Sequence, residues 1–308
     1  MVEVHRILCP VDLSSTSEHA LEHAVALARW YRAHLTVLHV YRTTISIPPP
    51  PPPPLAVGGV ASQAVLLEPV QRDQIRADVE RFCAPAIAAG VSLEIVVEGG
   101  DPATEIAAEA ELRHADLVVM GTHERGRLER VLAGSLTEKV LHTTRHPVLT
   151  VPPRAEHAPS GPILYKTILC AIDFSDSSIR ALEYAFLLAK EADARLILLH
   201  VLEPLLDPTA YGEAADFSVP DYHRRLEEDA MGRLKSVVPV GAAGWCTPEE
   251  KIASGSPHRE ILRAAAENTA ELIVIGAHGG GTLRRLLFGS TTRHVIEAAS
   301  CPVLTLRA

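Results

Sequence analysis

Two tandem doubly wound α/β domains, each a five-strand parallel sheet with helices on both faces, are what this sequence predicts. Three observations carry the prediction. Its 308 residues are about twice an ordinary domain. The second half repeats the first, and in each half short apolar runs alternate with amphipathic stretches, the pattern of βα units.

The repeat comes first because a missed repeat misreads the whole fold. RILCPVDLS at 6–14 is answered by TILCAIDFS at 167–175, and LTVLHV at 35–40 by LILLHV at 196–201, both at an offset of 161 residues. DLVVMGTHERGRLERVLAGSLTEKVL at 116–141 falls on ELIVIGAHGGGTLRRLLFGSTTRHVI at 271–296, and HPVLTV at 146–151 on CPVLTL at 301–306, now at 155. Four blocks in one order define a tandem duplication, with the length difference lying between the second block and Gly100. The predicted domains are 1–153 and 165–308, joined by a Pro-, Ala- and Ser-rich linker at 154–164.

Within the first half, apolar runs mark strands near 5–11, 35–40, 92–97, 117–120 and 148–151. After the first strand, Ser15-Thr16-Ser17-Glu18 fits a capping box and opens a helix with Leu21, Ala24, Val25 and Ala28 on its apolar face. Prolines 48–54 follow the second strand; in polyproline II geometry the seven would span about 22 Å. They read as an exposed stiff insertion, or else as a ligand for a proline-binding domain. Pro102 stands at the start of a helix whose apolar face includes Ile106, Ala107 and Leu112. Ser135 opens the next helix, which must end before Pro147 because the residue preceding proline avoids helical geometry. In a doubly wound sheet the ligand sits beyond the carboxyl ends of the strands where the winding reverses. The most polar, glycine-rich strand ends are those of the first and fourth strands, so these two are predicted neighbours. The fifth strands, at 148–151 and 303–306, are apolar on both faces; as exposed edges they would leave backbone groups unpaired, which predicts that they join the halves as a pseudo-twofold pair.

Composition limits the function. Hydrophobic residues are 47% and aromatics only 4%, so the cores are built from Val, Leu, Ile and Ala, as in sheets covered by helices. A net charge of -9 without a basic stripe argues against nucleic acid. No apolar stretch approaches the roughly 18–20 residues of a membrane span, and the first residues read as a strand rather than an export signal. Five scattered cysteines support neither a disulfide framework nor a zinc site and fit a cytoplasmic location.

The strand ending CPVDLS or CAIDFS, the LHV ending, the Gly-Asp-Pro or Gly-Ser-Pro before the third helix and the glycine loop after the fourth strand together resemble the universal stress protein family in its tandem form. The resemblance covers nearly the whole chain and implies a Rossmann-like, adenine nucleotide alpha-hydrolase-like fold. In the ATP-binding branch the loop reads Gly-x2-Gly-x9-Gly-Ser/Thr, and the second half matches it with Gly276, Gly279, Gly289 and Ser290. Such glycines let backbone N–H groups approach phosphates, and Ser290 would open a helix whose N-terminus favours an anion. The resemblance further implies that Asp173 binds ribose hydroxyls and that the main chain of Val201 meets the adenine edge. Plainer readings stand beside these: the glycines as turn formers, Asp173 as a helix cap, His278 as a solvent- or phosphate-facing loop residue, and the recurring His39 and His200 as packing residues. No Gly-x4-Gly-Lys-Ser/Thr loop occurs.

The first half keeps Asp12, Val40, Gly121, Gly134 and Ser135, a weaker candidate site, but carries Glu124 in place of the second glycine. A carboxylate beside a polyphosphate costs about 1–3 kcal/mol in a solvated loop, or about ten- to a hundredfold in affinity, although Gly126 offers the loop a way to re-form. The expected function is an ATP-binding stress-response regulator with nucleotide held mainly by the second half, Mg or Mn accompanying the phosphates, and at most slow hydrolysis, since no general base stands with the loop. The expected partners are adenine nucleotide, the other half of the chain as a pseudo-dimer, an unidentified protein and a second copy as a homodimer. A scaffold or carrier for another small or apolar ligand is the alternative, and a true ATPase a third.

Overall fold

The computed structural model describes residues 4–42, 69–122, 135–153, 165–203, 219–239, 246–277 and 289–307. Prolines 48–54 and the linker lie outside them. In the first half, β1 (Arg6–Pro10), α1 (Ser15–Tyr31), β2 (His34–Tyr41), α2 (Pro69–Phe82), α3 (Ala84–Ala88), β3 (Leu93–Gly99), α4 (Pro102–Leu112), β4 (Leu117–Gly121), α5 (Ser135–Thr143) and β5 (Val148–Val151) follow one another. The second half continues with β6 (Thr167–Ala171), α6 (Asp176–Ala192), β7 (Arg195–Leu202), α7 (Val219–Ser236), β8 (Glu249–Ser254), α8 (Pro257–Glu267), β9 (Leu272–Gly276), α9 (Ser290–Ala298) and β10 (Val303–Leu306).

All ten strands form one sheet in the order β3-β2-β1-β4-β5-β10-β9-β6-β7-β8. Among the described residues every pairing within a half is parallel, and the junction β5–β10 alone is antiparallel. The neighbours β1–β4 and β6–β9 stand where the winding reverses, as the polar strand ends required. At the junction Leu149 faces Leu304, with Thr150 opposite Val303 and Val148 opposite Thr305. Leu149 and Leu304 are equivalent positions of the repeat, so the pseudo-twofold axis passes between them.

Strands apolar on both sides feed two cores. Ile7, Cys9, Leu35, Val119, Ile168 and Leu196 point to the face covered by α1 and α6, whereas Leu8, Leu38, Val118, Leu169 and Ile273 point to the face covered by α4, α5, α8 and α9. Both cores run through the junction: Leu149 and Leu304 lie in one, Val148 and Val303 in the other.

Two local expectations are corrected. The cap of α1 is Ser14, whose side chain accepts from the Ser17 N–H while Ser17 Oγ reaches back to the Ser14 backbone, so the capping box begins one residue before Ser15. On α4, Ala103, Ile106 and Ala110 are buried, but Leu112 is 71% exposed. It follows Ala110 by two residues and so stands about 200° round the helix from it.

Candidate functional site

After β1 and β6 the two halves make the same turn. Asp12 Oδ1 accepts from the Ser14 N–H at 3.0 Å and from Ser14 Oγ at 2.5 Å, and Asp173 Oδ1 accepts from the Ser175 N–H and Oγ at the same two distances. The serines cap the helices, not the aspartates: Ser175 Oγ accepts from the Ser178 N–H at 3.3 Å. Asp173 therefore orients the cap, and it is exposed, two residues beyond the end of β6. Leu13 and Phe174, between aspartate and serine, have φ of 61° and 63°. Bulky side chains rarely occupy that region, and it costs on the order of 1–3 kcal/mol, the kind of strain held at ligand sites.

The turn is braced from the next strand. His39 Nδ1 donates to the Val11 carbonyl at 2.8 Å and His200 Nδ1 to the Ile172 carbonyl at 2.7 Å. A carbonyl only accepts, so Nδ1 carries the proton in both. These histidines are struts that hold the aspartate turn against β2 and β7. In the second half the brace is thicker: Phe174 packs on His200 with ring centroids 4.7 Å apart, and the Arg233 guanidinium lies 4.0 Å over the Phe174 ring.

The fourth strands end on glycines for a steric reason. A Cβ on Gly276 would stand 2.6 Å from Ser177 Oγ and 2.8 Å from the Ser178 nitrogen; one on Gly121 would stand 2.7 Å from Thr16 Cγ2. Only glycine lets α6 and α1 begin this close to the neighbouring strand. The Gly276 carbonyl in turn accepts from Oγ1 of buried Thr292 at 2.8 Å, and Gly121 from Thr137 at 3.4 Å. Gly289 caps α9 with φ of −63°, ordinary for any residue, and its N–H donates to the Ala277 carbonyl at 3.0 Å. Ser290, exposed, is the first residue of α9, whose end carries no side-chain cap. Ser135 likewise opens α5. Gly279, Gly134, His278, Glu124 and Gly126 lie outside the described residues.

Val40 and Val201 sit half-buried near the ends of β2 and β7, paired with Glu98 and Ala253. In the first half these strand ends enclose a cavity of about 300 Å³ whose walls include Asp12, Leu38, Val40, Met120 and Thr137. The crevice beyond the first and fourth strands is thus present there as the doubly wound order requires.

One pair was not read from the sequence. His258 of α8 stacks on His294 of α9, ring centroids 4.7 Å apart, with Nδ1 of His258 3.1 Å from Ser256 Oγ and Nδ1 of His294 donating to the Ser290 carbonyl at 2.6 Å. Burial, with His294 and Arg259 nearby, lowers the His258 pKa. The first half has Ala103 and Lys139 there, so comparing the repeats position by position would have flagged the pair.

Thiolate chemistry finds no place here. All five cysteines are buried and unpaired, and burial pushes Cys83 up to about 11 and Cys301 up to about 12. Among the described residues no group of three or more His, Cys, Asp or Glu could hold a metal ion, and no helix is long and apolar enough to cross a membrane.

The profile of the universal stress protein family matches residues 3–152 and again 164–307. The chain belongs to the universal stress protein family. A universal stress protein of Mycolicibacterium smegmatis is 28% identical over 318 residues, covering 98% of this chain and 96% of its own. A universal stress protein of Thermus aquaticus is 36% identical over 146 residues, all of its length and 47% of this chain. Among solved structures, a universal stress protein from Archaeoglobus fulgidus matches with a TM-score of 0.66 and 25% identity, over 99% of this chain and 97% of that one. Two family domains in one chain, as in the mycobacterial relative, account for the ten-strand sheet.

Proposed function

We propose that this universal stress protein is a cytoplasmic ATP-binding regulator in which the second half holds the nucleotide. The observation that supports it most is the meeting of two features at one sheet end: Asp173 on the strained turn after β6, and Gly276 at the end of the neighbouring β9 with Gly289 and Ser290 at the start of α9, in a sequence that carries the full Gly-x2-Gly-x9-Gly-Ser spacing. On this reading the Asp173 carboxylate accepts from the ribose hydroxyls and the main chain of Val201 meets the adenine edge. The loop N–H groups and the uncapped start of α9 receive the phosphates. Mg or Mn would be carried by phosphate oxygens and water, so it asks for few protein ligands. Regulation rather than rapid turnover is proposed because, among the described residues of the site, none is placed to deprotonate an attacking water. Five unpaired thiols suit a reducing cytoplasm.

Isothermal titration of ATP into the full chain tests this. One nucleotide per chain is expected, and Gly279→Glu, which copies position 124 into the second half, should weaken binding about tenfold or more. Unchanged affinity in the variant would refute the assignment to the second half.

A further inference from the structure

Resting on the reading that Asp173 receives the ribose, we infer that Arg233 and Phe174 form a clamp that fixes the position of Asp173 and so sets the ribose selectivity of the second half. The two halves hold their aspartate turns alike up to one residue. Before the aspartate, the Val11 and Ile172 N–H groups donate to the Leu38 and Leu199 carbonyls at 2.8 Å, and their own carbonyls accept from His39 and His200. After it, Ser14 and Ser175 donate to the carboxylate. Between these anchors stands Leu13 in the first half and Phe174 in the second, at φ of 61° and 63°.

A bulky residue keeps that conformation only where its surroundings over-determine it. Leu13 relies on aliphatic packing, half-buried against the core. Phe174 instead lies tilted on the His200 ring with centroids 4.7 Å apart, and the Arg233 guanidinium lies 4.0 Å over its face. His200 belongs to β7 and Arg233 to α7, so the ring is tied to two elements at once. Arg233 is exposed, but Leu234 beside it is fully buried and fixes the last turn of α7 in the core. One planar peptide separates Phe174 from Asp173, so a ring that cannot swing holds the aspartate backbone, and with it the carboxylate, in one place. A cation over an aromatic face at an exposed site is worth about two- to fivefold in an equilibrium constant, and a leucine cannot make that contact. Arg233 acts through Phe174 and is a positioning residue.

The experiment is titration of ATP, and of 2′,3′-dideoxy-ATP, which lacks the hydroxyls that the Asp173 carboxylate accepts from, into the full chain. The native chain should bind ATP about tenfold or more tightly than the dideoxy nucleotide. Arg233→Gln, at an exposed position, should still melt cooperatively, weaken ATP about two- to fivefold and leave the dideoxy nucleotide unchanged. Phe174→Leu copies position 13 and retains the cation, so a loss of ATP affinity there cannot come from long-range charge. It should match Arg233→Gln in direction, and the double variant should bind ATP no more weakly than Phe174→Leu alone. Arg233→Lys, which keeps a cation over the ring, should recover the native affinity. Native ATP affinity in Arg233→Gln, equal weakening of both nucleotides, or additive losses in the double variant would each overturn the inference and leave the ATP reading standing. A native chain that binds the two nucleotides equally would overturn the role of Asp173, and the inference with it.

Discussion

A methyl group on Gly276 would meet Ser177 and Ser178 at distances that real Cβ atoms do not show, so this glycine is required by the fold before any ligand arrives. Gly276→Ala should therefore cost about 1–3 kcal/mol by denaturant melting, as overpacking does. Gly289→Ala, at an ordinary φ and a cap position, should cost under about 1 kcal/mol. A reversed order would mean that the strand end relaxes freely. Asp173 differs from both glycines in being exposed. Under the proposed function ATP at a hundred times its dissociation constant adds about 2.7 kcal/mol of stability. Asp173→Ala should shrink the matching rise in melting temperature, and Asp12→Ala should leave it nearly unchanged. The opposite pattern would move the ATP site to the first half.

At the scale of elements, the informative unit is the turn from first strand to first helix. Aspartate, a left-handed bulky residue and a capping serine recur in both halves, and a histidine from the next strand donates to the carbonyl just before the aspartate. Ser175 links the strand end to the helix: it donates to Asp173 and accepts from the Ser178 N–H. Ser175→Ala should destabilise the chain by about 1 kcal/mol, the usual worth of a cap, and also weaken ATP binding because Asp173 loses its anchor. Loss of stability with unaltered ATP affinity would show that the aspartate needs no such positioning. The repeated DLS and DFS were visible in the sequence as a motif. Which of their residues caps was not, since aspartate and serine are both good caps and only the backbone decides.

The whole molecule is a single sheet whose halves are joined by more than β5 and β10. Tyr31 donates to Glu191 Oε2 at 2.9 Å across the α1–α6 face, Arg307 donates to the His142 and Thr144 carbonyls, and Arg293 stands 3.8 Å from its repeat-equivalent Glu138 on the other face. His23 of α1 is buried at this seam, its Nδ1 3.5 Å from the Tyr165 hydroxyl and its Nε2 without a hydrogen-bond partner. Burial, then the nearby His19, lowers its pKa from 6.5 to about 4. Between those values the unfolded chain binds a proton that the folded chain refuses, so stability falls as pH drops through this window, by up to about 3 kcal/mol. Comparing denaturant melts at pH 7 and pH 4.5, His23→Leu should lose much of that dependence. An identical pH profile in the variant would exclude His23 as the source.

The sequence by itself determined the duplication, the doubly wound class, the neighbouring of first and fourth strands, the fifth-strand junction and the candidate loops. Those features are written in apolar periodicity and in short polar-glycine motifs, which are local and survive copying. Tertiary structure decided why Gly276 and Gly121 must be glycine, which serine caps α1, that Leu112 turns outward, and that Arg42 and Leu136 share one cavity with Asp12. Each of these depends on the distance between segments far apart in the chain, and close packing fixes such distances to a fraction of an ångström. No periodicity along one strand or helix can record them.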